Sequence, residues 1–355
     1  MAKTRIISGT ATEPQEEQLN LSLRPTRIDD YVGQPKLIEK LRITLEAVKQ
    51  RGEPMEHVLL HGPPGLGKTT LAHIIANDMG THLMHTSGPA LTRPTDLVGT
   101  LTKLQNGDVL FIDEVHRLSP VVEEYLYPAM EDFRIDITVD SGMHAKTITL
   151  PLKPFCLIGA TTRAGLLSGP MRSRFGITHN LDFYNEADLF KILQRSASLL
   201  NIDTDAPNTS GTNLEALKTI AGRSRGTPRI ANRLLRRVRD YAQVRADGQL
   251  TEPIVHQALH MEGIDERGLD DLDRKYLKVI ADVYQGGPVG LEAIAATLGE
   301  DAGTLEDIVE PYLLQIGYLA RTRKGRQLTQ RVAEHLGLTL TDELRNTGLF
   351  DEGGA

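Results

Sequence analysis

"GPPGLGKTT" (Gly62–Thr70) is the stretch on which the reading of this chain turns. It follows the short apolar run "HVLLH" (57–61) and opens into "TTLAHIIANDM", whose apolar spacing predicts a helix. Strand, glycine loop and helix, in that order, satisfy G-x-x-x-x-G-K-[ST] in the context the motif requires. The glycines let successive backbone N–H groups turn inward around a phosphate, and the helix N-terminus adds a favourable dipole. Lys68 is placed to neutralise β- and γ-phosphate oxygens, and Thr69 to ligate Mg²⁺. Gly62, Gly65, Gly67 and Thr70 complete the loop's candidate nucleotide contacts.

The second half of such a site follows downstream. "DVLFIDEVHRL" (108–118) is an apolar strand ending in two acids. Asp113 would hold Mg²⁺ through water, and Glu114 would orient and activate the attacking water. Two acids after an apolar run mean little alone. Behind a Lys68-type loop they serve the same phosphate, and without a cation a buried carboxylate pair would be costly.

Around these motifs the chain alternates short apolar runs with helical patterns. "HVLLH", "THLMHTS" (81–87), "DVLFID" (108–113), "FCLIGATT" (155–162) and "ITHNLDF" (177–183) are apolar almost throughout, as strands covered on both faces are. They predict a parallel sheet wrapped by helices, an α/β fold. "EEYLYPAMEDF" predicts a helix, and residues 134–152 place two alternating runs around Ser-Gly, the pattern of a hairpin. After Phe183 the pattern is purely helical, broken by a polar loop at 203–213. From about Asp265, three helical segments (270–284, 291–298, 303–316) precede "GYLARTRKGRQLT", the outline of a winged helix. The expected division is a tail at 1–20, an ATPase domain at 21–183, a helical lid at 184–263, a winged helix at 264–340 and a tail at 341–355.

Composition narrows the function classes. At 355 residues one hydrophobic core is not expected. Aromatics are 5% with no tryptophan, which disfavours base stacking on single strands. The single cysteine, Cys156, lies in the apolar "FCLIGA", which predicts a buried inert thiol and excludes an intrachain disulfide. No apolar run reaches the ~18 residues of a membrane span and no signal peptide opens the chain, so the expectation is a cytoplasmic protein. A net charge of −7 confines any nucleic-acid contact to a local patch.

"GPPGLGKTT", "DEVHRL", "GATTR", "RSRFG" and "RGTPR", in this order, resemble the AAA+ ATPases. "LIGATTRAG", "LYPAMEDF", "RGTPRIANRLLRRVRD" and "GGPVGL…EPYL…GYL" are similar, more narrowly, to the RuvB family of Holliday-junction branch-migration motors. The resemblance covers about residues 21–335; the 1–20 tail and the 203–213 loop depart from it. It implies an ATP- and Mg²⁺-dependent DNA translocase acting as a homo-hexameric ring on double-stranded DNA at Holliday junctions. A RuvA-like junction binder and a RuvC-like resolvase would be its partners. It also implies site roles: Thr162, or its neighbour Thr161, as the polar sensor; Arg174 as an arginine finger acting on the neighbouring subunit's nucleotide; Arg229 as a second sensor on the lid. Leu23, Arg24, Tyr31 and Val32 would close over the adenine, with Tyr184 at the lid boundary. Arg233 and Arg237 share a helical face with Arg229 and are expected at domain or subunit contacts.

The remaining features concern partners. Between Pro311 and Ala333 there is no acid, yet five basic residues: Arg321, Arg323, Lys324, Arg326 and Arg331. Around Gly325 this makes a basic wing tip without a base-reading Asn or Gln cluster, suited to phosphates rather than sequence. Arg321 and Arg326 rank first as DNA ligands, Arg323 and Lys324 second. In the 134–152 hairpin, Ile135, Ile137, Val139, Met143 and Ile148 are the candidate docking residues for the RuvA-like partner. Three other AAA+ functions compete. A protein-remodelling ATPase would want an aromatic pore loop, which 87–104 lacks. A nucleotide-switched regulator would bind one preferred site. A clamp-loader-like ATPase would not normally carry a basic winged helix.

Overall fold

The computed structural model describes residues 22–139, 146–202 and 210–336. The expected tails, Met143, the Ser-Gly turn of the hairpin and residues 203–209 lie outside them. The chain forms two compact units that meet between Asp188 and Leu189.

In the first unit five strands make one parallel sheet: β1 (Val58–His61), β2 (Leu83–Ser87), β3 (Val109–Asp113), β6 (Cys156–Thr161) and β7 (Ile177–Asn180), in the order β2-β3-β6-β1-β7. All five predicted strands are present. The central β1, β3 and β6 are buried along almost their whole length, whereas the edges β2 and β7 are half-exposed. Apolar character therefore tracks position in the sheet. The sheet carries α1 (Pro35–Arg51), α2 (Lys68–Met79), α3 (Pro94–Leu101), α4 (Pro120–Glu131) and the short α5 (Gly169–Ser173). Register brings the ends of β1, β3 and β6 together, pairing His61 with Thr161 and Ile112 with Gly159. The loops after these three strands consequently share one edge, where ligands bind in open α/β sheets. His57 ties the frame: its Nε2 meets the Met130 carbonyl at 2.9 Å and its Nδ1 accepts the Leu157 N–H at 2.9 Å. Burial, its largest influence, pulls this imidazole's pKa down, so it serves as a neutral core group.

The predicted hairpin is β4 (Arg134–Val139) paired antiparallel with β5 (Lys146–Pro151). One expectation is corrected here. Ile135, opposite Leu150, is wholly buried in the core with Phe155 and Leu126, so it anchors the hairpin and is closed to any partner. Ile137 packs partly against the same core, while Ile148 is 43% exposed.

The second unit holds the rest of α6 (Glu186–Leu199), then α7 (Ser210–Gly222), α8 (Pro228–Arg245) and α9 (Glu252–Met261). Helix α7 begins at Ser210 and so takes in the last four residues of the expected loop. There follow α10 (Asp271–Asp282), α11 (Leu291–Leu298) and α12 (Ala302–Thr304), which runs through a π turn (Leu305–Val309) into α13 (Glu310–Gln315). Strands β8 (Leu319–Thr322) and β9 (Gly325–Leu328) form the wing, and α14 (Gln330–Leu336) closes on it. Tyr276, Leu313, Leu319 and Leu328 share one core here. Lid helices and winged helix, expected as separate domains, lie within one compact unit.

Candidate active site

The glycine loop sits between β1 and α2. Gly62, Gly65 and Gly67 all have positive φ (140°, 81° and 102°), where only glycine is unstrained. A Cβ on Gly62 would also lie 2.5 Å from the Leu181 carbonyl oxygen. Lys68, 7% exposed, donates from Nζ to the carbonyls of Gly62 (2.7 Å) and Pro63 (2.9 Å). A cation is thus held inside a ring of backbone at the first turn of α2, which fits a polyphosphate. Thr69 is half-buried beside it and Thr70 buried.

Tyr31 and Tyr184 close the loop's outer side. Their hydroxyls are 2.7 Å apart, and Tyr184 donates to the Leu66 carbonyl at 3.2 Å. Burial raises both phenols, Tyr184 to about 12, so both stay protonated. Leu23 is buried, and Val32 half-buried. Burial and then the charge of Arg24 lower the pKa of His73 on α2, and Arg24 itself is half-buried.

Asp113 ends β3, and Glu114 follows in the left-handed region (φ 49°), uncommon for a residue with a side chain. Asp113 Oδ1 accepts the Glu114 N–H at 2.9 Å. Its other oxygen enters no hydrogen bond among the described residues. Glu114 Oε2 lies 3.2 Å from His116 Nδ1 and accepts a long 3.4 Å bond from the Thr162 hydroxyl. The same His116 nitrogen is 2.9 Å from Thr161 Oγ1, which also accepts the Arg163 N–H at 2.9 Å. The two sensor candidates divide: Thr161 is fully buried and meets His116, while Thr162 faces the acid. His116 is absent from the sequence expectations. The sole signal for it was its place two residues beyond Glu114.

Arg174 caps the end of α5. Its guanidinium lies 4.2 Å over the Tyr127 ring, donates to the Pro170 carbonyl at 2.8 Å and pairs with Glu131 at 3.1 Å. Tyr127 in turn donates to Glu123 (2.7 Å), which also accepts from Ser168 (2.7 Å). An arginine stacked and bonded in this way is pre-oriented.

The Holliday junction DNA helicase RuvB P-loop domain matches residues 23–181, the RuvB AAA lid domain residues 184–265, and the RuvB C-terminal winged helix domain residues 266–337. The Thermotoga maritima RuvB Holliday junction branch migration motor is 49% identical, with a TM-score of 0.81 over 90% of this chain and 100% of that one. A single-residue variant of the same Thermotoga protein is 50% identical, with a TM-score of 0.82 over 90% and 99%. The chain belongs to the RuvB family.

The other RuvB-type candidates lie in the second unit. Arg229 is the second residue of α8, after the helix-starting Pro228. Arg233, on the same face, is buried, and Arg237 is exposed near Asp240 (3.9 Å), so the row is not one solvated face.

At the wing the structure rearranges what the sequence ranked. Glu310, fully buried, takes both first-ranked arginines: Arg321 at 2.5 Å (Nη2) and 2.8 Å (Nε), and Arg326 at 2.9 Å (Nε). Tyr276 donates to the same carboxylate at 2.7 Å, and Glu306 lies 3.7–3.8 Å from both arginines. Burial would lower Arg326, but the hydrogen bond and charge of Glu310 outweigh it and the pKa rises. Arg323 and Lys324, ranked second, are exposed at the turn and form no ion pair among the described residues. Among those residues there is no cluster of three metal-ligating side chains, and no helix is long and apolar enough to cross a membrane.

Proposed function

We propose that this RuvB-family chain is an ATP-hydrolysing DNA translocase that drives branch migration of Holliday junctions. The observation that carries the reading is one edge of a RuvB-type sheet that gathers Lys68, Asp113, Glu114 and Thr162, in a chain that also carries a basic wing. Lys68 and the loop amides hold the β- and γ-phosphates. Thr69 and Asp113 would hold Mg²⁺, which when bound offsets phosphate charge. Glu114, aligned by His116 and Thr162, takes a proton from water as its oxygen attacks the γ-phosphorus and the bond to ADP breaks. Arg174 acts on the nucleotide of the adjacent subunit, so a closed ring, a homo-hexamer, is the working form. Arg229 reads the nucleotide within its own chain, whose base lies against Leu23, Arg24, Tyr31, Val32 and Tyr184.

Arg323 and Lys324, with the outward N–H groups of Arg321 and Arg326, hold duplex phosphates without reading sequence. The exposed part of the β4–β5 hairpin, including Ile148, receives a RuvA-like junction binder. A RuvC-like resolvase makes the cuts, since no acidic cluster suited to a nuclease is present among the described residues. A cytoplasmic location agrees with substrates of this kind.

The test is a synthetic four-way junction with ATP, Mg²⁺ and the cognate junction binder, followed to its two duplex products. Wild type should resolve it into duplexes, Lys68→Ala should not, and Arg323→Ala with Lys324→Ala should slow it. ATP hydrolysis that leaves the junction intact sinks branch migration and turns attention to a clamp-loader-like role.

A further inference from the structure

One buried side chain outside the nucleotide site joins three separate parts of the second unit. Arg225, 2% exposed, lies in the turn between α7 and α8 with φ 55°, a backbone conformation uncommon outside glycine. Its Nη1 donates to Asp273 Oδ2 in α10 at 2.8 Å, and Asp273 is itself wholly buried. Its Nη2 donates to the Ile308 carbonyl in the π turn at 3.2 Å. Its guanidinium carbon sits 4.6 Å over the Tyr312 ring in α13. The turn is thereby pinned to α10, the π turn and α13 together.

The connector from lid to winged helix is tied along its length. Asp265 Oδ1 accepts the N–H groups of Arg267 (2.9 Å) and Leu269 (2.8 Å). Arg274 donates to the carbonyls of Leu269 (2.8 Å) and Gly263 (2.7 Å), and Tyr312 donates to that of Arg267 (2.6 Å). Gly268 packs so closely on the lid that a Cβ there would lie 2.5 Å from the Arg223 carbonyl oxygen. A free linker has none of these constraints. A buried ion pair adds little net stability over an apolar pair, yet it tolerates no separation, since each charge would be stranded away from water.

Arg225 and Arg229 belong to one turn. Thr227 Oγ1 donates to the Arg225 carbonyl at 3.1 Å, and Thr227 is the cap of α8, whose second residue is Arg229. We propose that the Arg225–Asp273 pair, seated on Tyr312, rivets the lid to the winged helix, so that motion sensed at Arg229 reaches the wing as rigid-body displacement. Arg225 and Asp273 are positioning residues: they touch neither nucleotide nor DNA and set how much wing motion each hydrolysis event produces. The lever action rests on the branch-migration reading; the rigidity does not.

Two measurements test it in the full chain. The single native cysteine is fully buried, its thiol pushed up to about 12 by burial, so cysteines introduced at the exposed Val244 and Val283 take spin labels selectively. The distance between labels on lid and winged helix should show one narrow distribution, unchanged between ADP and a non-hydrolysable ATP analogue. Arg225→Met should broaden it. A wild-type distribution that shifts or splits with nucleotide overturns the proposal, because the joint is then a hinge. The functional readout is base pairs migrated per ATP hydrolysed. In Arg225→Met and Asp273→Asn it should fall about 2- to 30-fold, the span of measured site-to-site couplings. Hydrolysis per chain and duplex affinity should hold. If migration, hydrolysis and DNA binding fall in equal proportion, the pair is merely structural. A wild type that hydrolyses ATP without moving junctions refutes the motor reading alone, and the distance measurement still decides the rigidity.

Discussion

His116 stands between Glu114, the proposed activator of water, and the buried Thr161 at the end of β6. Glu114 is its near neighbour in sequence, whereas Thr161 reaches it only because β3 and β6 pair side by side. The left-handed backbone at Glu114 turns that carboxylate back toward the histidine two residues on, a geometry that costs about 1–3 kcal/mol and is held by its surroundings. Their functions separate experimentally. Glu114→Gln should lower single-turnover hydrolysis by roughly 10²–10⁴-fold, as loss of a general base does, with nucleotide affinity retained. His116→Ala should cost about 10²-fold through misplacement of the acid, also with little change in affinity. Restoration by His116→Gln, which keeps an N–H donor, would mark the role as positional; equal loss of affinity and rate would instead point to collapse of the loop.

At the scale of elements, the wing shows how a basic tip is built on a neutral base. Positive charge on β8 and β9 would repel itself across the hairpin, where Arg321 pairs directly with Arg326. Glu310, the residue just before the acid-free stretch, removes that conflict by accepting from both. Its carboxylate also fixes Nε of each guanidinium, so their outer N–H groups keep one direction. Glu310→Gln is expected to lower the stability of the winged helix by roughly 1.5–3 kcal/mol, the worth of hydrogen bonds to a charged group, read as an earlier thermal transition. Duplex affinity at low salt should fall although net positive charge has risen. A simple gain in affinity would mean that the wing acts by charge alone, with no need of orientation. The β4–β5 hairpin divides similarly, with Ile135 rooted in the core and Ile148 presented outward.

Over the whole molecule, the proposed function is divided between copies as well as between units. Arg174 is held on Tyr127 and Glu131 within its own chain, yet its proposed target is a neighbour's nucleotide. Arg174→Ala should lower hydrolysis by roughly 10³–10⁵-fold, the effect of removing an arginine finger. A mixture of Arg174→Ala chains with Lys68→Ala chains should then recover activity above either alone, because one supplies fingers and the other intact sites. Mixed rings that stay as inactive as their parents would place Arg174 in its own chain's architecture. Legibility follows the same scales. Central strands were readable because burial on both faces demands unbroken apolar residues, and the wing because turn and charge are local. The compact joining of lid and winged helix was not readable, because its decisive pair spans 48 residues.

By itself the sequence determined the α/β sheet, the glycine loop with Lys68, and the acids after β3. These depend on local spacing, which backbone geometry converts directly into position. Tertiary structure alone decided that His116 aligns Glu114, that Ile135 is an anchor, that Glu310 neutralises and orients the wing arginines, and that Arg225 locks two predicted domains together. Apart from Glu114 and His116, which are near neighbours in sequence, these side chains find their partners only when separate elements pack. Burial then makes that partnership obligatory, because a charge or donor shut away from water must be answered by whatever group the fold has placed beside it.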